Sequence, residues 1–134
     1  MALVEHVVDV SFGDCDPAGI VFYPNYFRWM DATFHRFLSE RAGGHTRLCG
    51  QLGAKGIGLM EATLSFRLPV TEGERIIFRA AGIDWGGRSM TVRYEVDFDG
   101  KRVLEGRETR GVFVLREGRM VAVDVRDLQL ALAL

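Results

Sequence analysis

Residues 14 to 31 of this chain run Asp-Cys-Asp-Pro-Ala-Gly-Ile-Val-Phe-Tyr-Pro-Asn-Tyr-Phe-Arg-Trp-Met-Asp, and they hold the side chains most able to do chemistry. Asp14 and Asp16 stand in a turn that Pro17 and Gly19 bend, and Pro24 is pre-set for the first position of a helix, where its missing N–H costs nothing. The free amides of such a first turn attract developing negative charge. A carboxylate beside them can attack a carbonyl carbon, or direct water at it, while the helix start receives the oxygen. Because Pro24 has no N–H, the donors left at this helix start are the amides of Tyr23, Asn25 and Tyr26. Cys15, between the two acids, is a weaker nucleophile candidate, since no histidine lies near it in sequence.

The elements that must position these groups follow from hydrophobic spacing. Val8, Val10 and Phe12 alternate with Asp9 and Ser11, which predicts a half-buried strand leading into the acidic turn. From Pro24 to about Arg41 the period becomes helical, with Phe27, Met30, Phe34, Phe37 and Leu38 on one face and Gly43-Gly44 as the stop. A shorter helix over about 46 to 52 and a flexible stretch through Gly53, Gly56 and Gly58 follow. The rest reads as strand: Ala62 to Leu68, Arg75 to Trp85, Met90 to Phe98, Arg102 to Leu115 and Met120 to Val125. Asp99-Gly100 forms a hairpin turn, and Arg116 to Arg119 forms another. One strand, one long helix and an antiparallel meander imply a single α+β domain over residues 1–134.

Trp29 and Arg36 fall opposite the apolar arc of the long helix, so Trp29 is expected either to face a partner or to be covered by a loop of its own chain. Asp31 falls inside the arc, where a carboxylate is costly unless it pairs with an arginine or lines a pocket and meets a polar group of a ligand.

Composition narrows the classes. The chain has 134 residues, is 48% hydrophobic and carries a net charge of −1, which predicts neither nucleic-acid nor anionic-membrane binding. Glu5, His6 and Asp9 interrupt what would have to be an apolar signal segment, and no apolar run approaches spanning length. With two cysteines and no Cys/His quartet, the expectation is a cytoplasmic protein without structural zinc.

An apolar strand followed by Asp14-x-Asp16 is similar to the haloacid dehalogenase-type phosphatases. That fold needs a parallel sheet of repeated strand-helix units, and the antiparallel tail argues against it. The longer run from Phe12 to Val21, continuing through Phe22-Tyr23-Pro24-Asn25-Tyr26 to Arg28-Trp29-Met30-Asp31-Ala32, resembles the 4-hydroxybenzoyl-CoA thioesterase family at nearly every step. A weaker echo lies at Asp84-Trp85-Gly86-Gly87-Arg88-Ser89.

The resemblance implies a hotdog fold, an antiparallel sheet wrapped around one long helix, paired into homodimers and commonly dimers of dimers, with acyl-CoA sites between subunits. It implies hydrolysis of an aromatic, hydroxybenzoyl-type CoA thioester, with no metal and no cofactor, CoA being part of the substrate. Benzoyl, phenylacetyl or short aliphatic esters, or a non-catalytic acyl-CoA or acyl-carrier-binding domain, stand as alternatives. By this resemblance Asp16 is the catalytic carboxylate, as nucleophile or general base, and the Tyr23 N–H polarises the thioester carbonyl. Phe22 stands beside the acyl pocket and Asp31 faces the ring hydroxyl, while Asp14 is read as a structural cap. Where the hydroxybenzoyl enzyme has a basic cluster for the CoA phosphates, this chain has Gly86-Gly87 and keeps only Arg88. Arg67, Arg75 and Arg110 are then the reserve candidates for phosphate contacts. His6, His35 and His45 match no catalytic position of the family.

Overall fold

The computed structural model describes residues 2–134. Strand β1 (Val4–Asp9) leads through a short 3-10 turn (Phe12–Asp14) to helix α1 (Pro24–Ala42), followed by α2 (His45–Leu52). Then come β2 (Gly56–Phe66), β3 (Arg75–Trp85), β4 (Met90–Phe98), β5 (Lys101–Arg116), β6 (Arg119–Val123) and helix α3 (Arg126–Ala131). The strands form one antiparallel sheet in the order β1-β3-β4-β5-β2, with β6 pairing the far end of β5. This is the α+β arrangement that the spacing predicts and the hotdog fold that the resemblance implies, with α1 packed on β1 and β3.

Two hairpin turns set the register of the meander. Asp99-Gly100 and Glu117-Gly118 each have two consecutive positive φ values, the type I′ geometry whose twist matches that of the flanking strands. The inward residues Met90, Val92, Tyr94 and Val96 of β4 are all buried, as strict alternation requires.

The structure corrects five expectations. Phe12 does not continue the inward face of β1. The strand ends at Asp9, and Phe12 opens the 3-10 turn with 80% of its surface exposed. Trp29 is covered by its own chain, but by a strand rather than a loop: at 6% accessibility it packs edge-on to Phe78 of β3 (ring centroids 6.3 Å apart) and to Tyr26 (5.7 Å). At about 100° per residue Trp29 and Leu38 lie about 180° apart, so α1 buries half its circumference rather than a narrow stripe. Asp31 falls just outside that arc.

Gly56 and Gly58 belong to β2, because β5 is long enough to pair Gly56–Leu59 with Arg110–Phe113, while Gly53 caps α2. A Cβ on Gly58 would lie 2.9 Å from the Phe113 ring, so glycine here permits close packing rather than flexibility. As a sheet edge, β2 leaves Leu59, Met60 and Phe66 exposed, and Leu68 beyond it is exposed as well. Finally, β6 stops at Val123. The Asp124 carboxylate accepts the Arg126 N–H (2.7 Å), and α3 then sinks Leu128 and Leu132 into the core at helical spacing.

His6, half-buried on β1, has its Nδ1 buried with no hydrogen-bond partner among the described residues. Burial, then the charge of Arg36, lowers its pKa, and burial with the charges of His35 and Arg110 lowers that of His45. The unfolded chain, with an ordinary value near 6.5, therefore takes up protons first as pH falls. Stability is lost as pH drops through that value toward the lowered folded-state pKa. Urea midpoints should fall between about pH 7.5 and about pH 5.5, and His6→Gln should reduce the fall. An undiminished fall in His6→Gln would remove His6 from the account.

Candidate active site

The acidic turn is a small hairpin. Cys15 and Val21 form an antiparallel bridge, Ile20 bridges to Thr71, and the Val21 N–H donates to Val70 O (2.9 Å), which stitches the hairpin to the β2–β3 connection. At its tip the Gly19 N–H donates to Asp16 O (2.9 Å), closing a turn with Asp, Pro and Gly where a type I turn favours them. The Asp16 carboxylate is half-buried, and its Oδ1 accepts the Ala18 N–H at 2.8 Å. Its Oδ2 has no partner among the described residues.

Asp14 is spent on structure. Its Oδ2 accepts both the N–H and the hydroxyl of Ser11 at 2.9 Å, and its carbonyl accepts the Phe22 N–H and the Asn25 Nδ2 group, each at 2.8 Å. These bonds fix the hairpin against the start of α1. Cys15 is no activated nucleophile either. Desolvation, then the charges of Asp14 and Glu72, push its thiol up.

At the helix start the three candidate amides separate. The Asn25 N–H donates to Phe22 O (3.0 Å) and the Tyr26 N–H to Tyr23 O (3.1 Å). Among the described residues the Tyr23 N–H has no acceptor. Tyr23 lines an open groove of about 350 Å³ whose other walls are Ile20, Val21, Tyr26 and residues 66–70. The Phe66 ring lies 5.6 Å from that of Tyr26, and burial pushes the Tyr26 phenol up to about 12, so it stays neutral. The groove is therefore a largely apolar slot, and one of its lining residues, Tyr23, carries an unshared N–H. Phe22 stands outside the slot, exposed, edge-on to the Tyr23 ring at 5.5 Å.

Within one chain the predicted residues fall in three places. Asp16, Phe22 and Tyr23 share the hairpin and helix start. Asp31, on the next turns of α1, pairs through Oδ1 with Arg110 Nη2 (2.7 Å) and lies 3.5 Å from His35 Nε2. Arg88 is exposed in the β3–β4 loop, which is held by Gly86 N–H to Ser89 O (2.9 Å) and Val125 N–H to Gly87 O (3.0 Å).

The reserve arginines separate too. Arg110 is 2% exposed and so is not free to meet phosphates, whereas Arg75 stays at the surface in a pair with Asp9 (2.7 Å). Arg67 lines the groove and pairs with Glu105. Among the described residues no cluster of three or more His, Cys, Asp or Glu is placed to hold a metal, and no helix is long and apolar enough to cross a membrane.

Sequence reasoning missed a buried polar cluster behind Asp31. Tyr94 Oη donates to Glu108 Oε1 (2.6 Å), and Arg110 donates through Nε to Oε1 and through Nη2 to Oε2 of the same carboxylate (each 3.0 Å). Burial, then Glu108, pushes the Tyr94 phenol well up. Burial alone would lower the Arg110 pKa, but the hydrogen bond and charge of Glu108, joined by Asp31, leave it raised. The available signal was parity along β5: Glu108 and Arg110 occupy the same alternating face as Leu104 and Val112.

Residues 10–130 match the model of the thioesterase-like superfamily. The chain is 28% identical over 131 residues to the 4-hydroxybenzoyl-CoA thioesterase of Pseudomonas sp. (strain CBS-3), with 87% of this chain and 86% of that protein covered. The solved structure of the 4-hydroxybenzoyl-CoA thioesterase from that strain superposes with a TM-score of 0.85 at 26% identity, over 96% of this chain and 97% of that one. A gentisyl-coenzyme A thioesterase superposes with a TM-score of 0.79 at 27% identity, over 97% and 99% of the two chains.

The hydrogen bonds of Asp14 predict a stability role. Asp14→Ala should cost ~1–2 kcal/mol in denaturant unfolding, because it strips the cap from the 3-10 turn that aims the hairpin. An unchanged unfolding midpoint would show that the turn holds without it.

Proposed function

The chain belongs to the thioesterase-like superfamily, and on that premise we propose that it hydrolyses an aromatic acyl-CoA thioester, with 4-hydroxybenzoyl-CoA as the leading substrate, to the free acid and CoA. The observation that carries this reading is the unshared N–H of Tyr23, a residue that lines a largely apolar groove, next to a hairpin whose Asp16 keeps one carboxylate oxygen uncommitted. The relatives named for 4-hydroxybenzoyl-CoA and gentisyl-CoA support an aromatic acyl group.

In this mechanism the thioester carbonyl oxygen accepts a hydrogen bond from the Tyr23 N–H, which sits at the positive end of the α1 dipole. Asp16 then acts in one of two ways. As nucleophile, its free oxygen bonds to the carbonyl carbon and the C–S bond breaks, giving a mixed anhydride and CoA thiolate that water and a proton resolve to acid and CoA. As general base, it takes a proton from the water that attacks the same carbon. Phe22 flanks the acyl group, Asp31 accepts a hydrogen bond from its ring hydroxyl, and Arg88 contacts the CoA phosphates. CoA enters as part of the substrate, so the reaction calls for no separate cofactor. A CoA ester as substrate supports a cytoplasmic site of action, and an aromatic acid as product suits a route of aromatic degradation.

The proposal includes assembly. Asp31 and Arg88 lie away from the Tyr23 groove in one chain, and the exposed side chains of Leu59, Met60 and Phe66 line the free β2 edge. A second copy related by two-fold symmetry would cover that edge and complete the site from both subunits. Light scattering at micromolar concentration should give the mass of a dimer or a dimer of dimers. A fully active monomer would refute it.

The chemistry is tested at Asp16. Asp16→Asn keeps the size of the side chain and its bond from Ala18 but removes the charge. Folding and oligomeric mass should survive while kcat on 4-hydroxybenzoyl-CoA falls on the order of 10²- to 10⁴-fold. A folded Asp16→Asn protein with near wild-type kcat would refute the mechanism and favour a domain that binds acyl-CoA without hydrolysing it.

A further inference from the structure

Asp31 is the solvent-facing end of a charged cluster whose other members are buried. Glu108 is 1% exposed and Arg110 2%, whereas the Asp31 side chain is 53% exposed. Ionised groups in a core are rarely there for stability, since apolar residues of similar volume commonly do as well or better. The geometry shows what this cluster can do instead. The guanidinium of Arg110 is gripped by Glu108 through two of its nitrogens, lies over the Phe34 ring with Cζ 4.1 Å from the centroid, and donates through Nη1 to Ile57 O (3.4 Å). Glu108 is itself held by Tyr94. A guanidinium fixed on its plane and at both ends cannot swing. Its bond to Asp31 Oδ1 therefore sets the direction of that carboxylate, and Oδ2 has no partner among the described residues.

We propose that Arg110, clamped by Glu108, is a positioning residue that holds Asp31 ready to accept a hydrogen bond from the hydroxyl of an aromatic acyl group. This inference rests on the aromatic thioesterase reading above and adds the residues that give it hydroxyl selectivity. A fixed acceptor rewards a ligand that brings a donor and penalises one that leaves the carboxylate oxygen desolvated and unpaired. Lysine at position 110 would keep the charge but lose the fork, so it could not grip Glu108 and direct Asp31 together.

The test is the ratio of kcat/KM for 4-hydroxybenzoyl-CoA to that for benzoyl-CoA, which a general loss of folded enzyme does not move. Asp31→Asn should lower this ratio about 10- to 100-fold, Arg110→Lys should lower it to a similar value, and the double variant should lower it no further. Should Arg110→Lys fail to fold, Glu108→Gln/Arg110→Met, which buries no unpaired charge and keeps a partner for Tyr94, is held to the same criterion. A ratio kept at its wild-type value in the Arg110 variant, or a loss that adds to that of Asp31→Asn, overturns the positioning role and leaves the thioesterase reading standing. Equal wild-type efficiency on both esters overturns the hydroxyl-selective substrate reading and this inference together, whereas hydrolysis of neither ester overturns the aromatic thioesterase reading itself.

Discussion

The fold depends on the width of the apolar arc of α1. A helix that buries only a narrow stripe can rest on a flat sheet, but α1 buries residues from Trp29 round to Leu38, about half its circumference. A single layer meets that demand by twisting and curling around the helix, with the remaining sides closed by α2, by Leu128 of α3 and by Leu132 just after it. The Trp29 indole against Phe78 ties the first turns of the helix to the strand beneath it. Once α1 is held this way, its N-terminus has one place to point, toward the hairpin of residues 14–22 and the connection after β2.

That placement turns an ordinary helix start into a donor site. Every helix begins with amides that lack partners within it. Here proline removes one donor, and backbone carbonyls three residues back consume those of Asn25 and Tyr26. The Tyr23 amide is what remains, an unshared donor on a residue that lines a largely apolar slot, where a hydrogen bond is stronger than in water. The carbonyl and carboxylate of Asp14 serve the same end by locking the hairpin to the helix.

The cluster of Tyr94, Glu108 and Arg110 runs against the usual economy of a core. Its internal hydrogen bonds are well formed, and the arginine lies flat on an aromatic ring, so the cost of desolvation is offset by short charge-assisted contacts. The cluster also links β4, β5 and α1, three elements far apart in sequence, through one guanidinium. Such a network specifies a single arrangement where an apolar core would tolerate several.

Much of this was legible in the chain itself. The Pro24 start and Gly43 stop of α1, the unbroken alternation of β4 and the Asp-Gly turn after it are local signals with local causes, and they fixed element types and the antiparallel order. The motif from Asp14 to Asp31 marked the candidate site and its family for the same reason, since adjacent residues share one turn and one helix start. The burial of Trp29, the strand role of Gly56 and Gly58, the turning out of Phe12 and the existence of α3 all depend on what another element presents, which spacing along one segment does not encode. The choice of Tyr23 among three amides, and the meeting of Asp31 with Arg110 across 79 positions of sequence, were decided only in the folded chain. Which hydrogen bonds are left over, and which buried charge finds its partner, are properties of the closed set of contacts, and that set exists only once helix and sheet have packed.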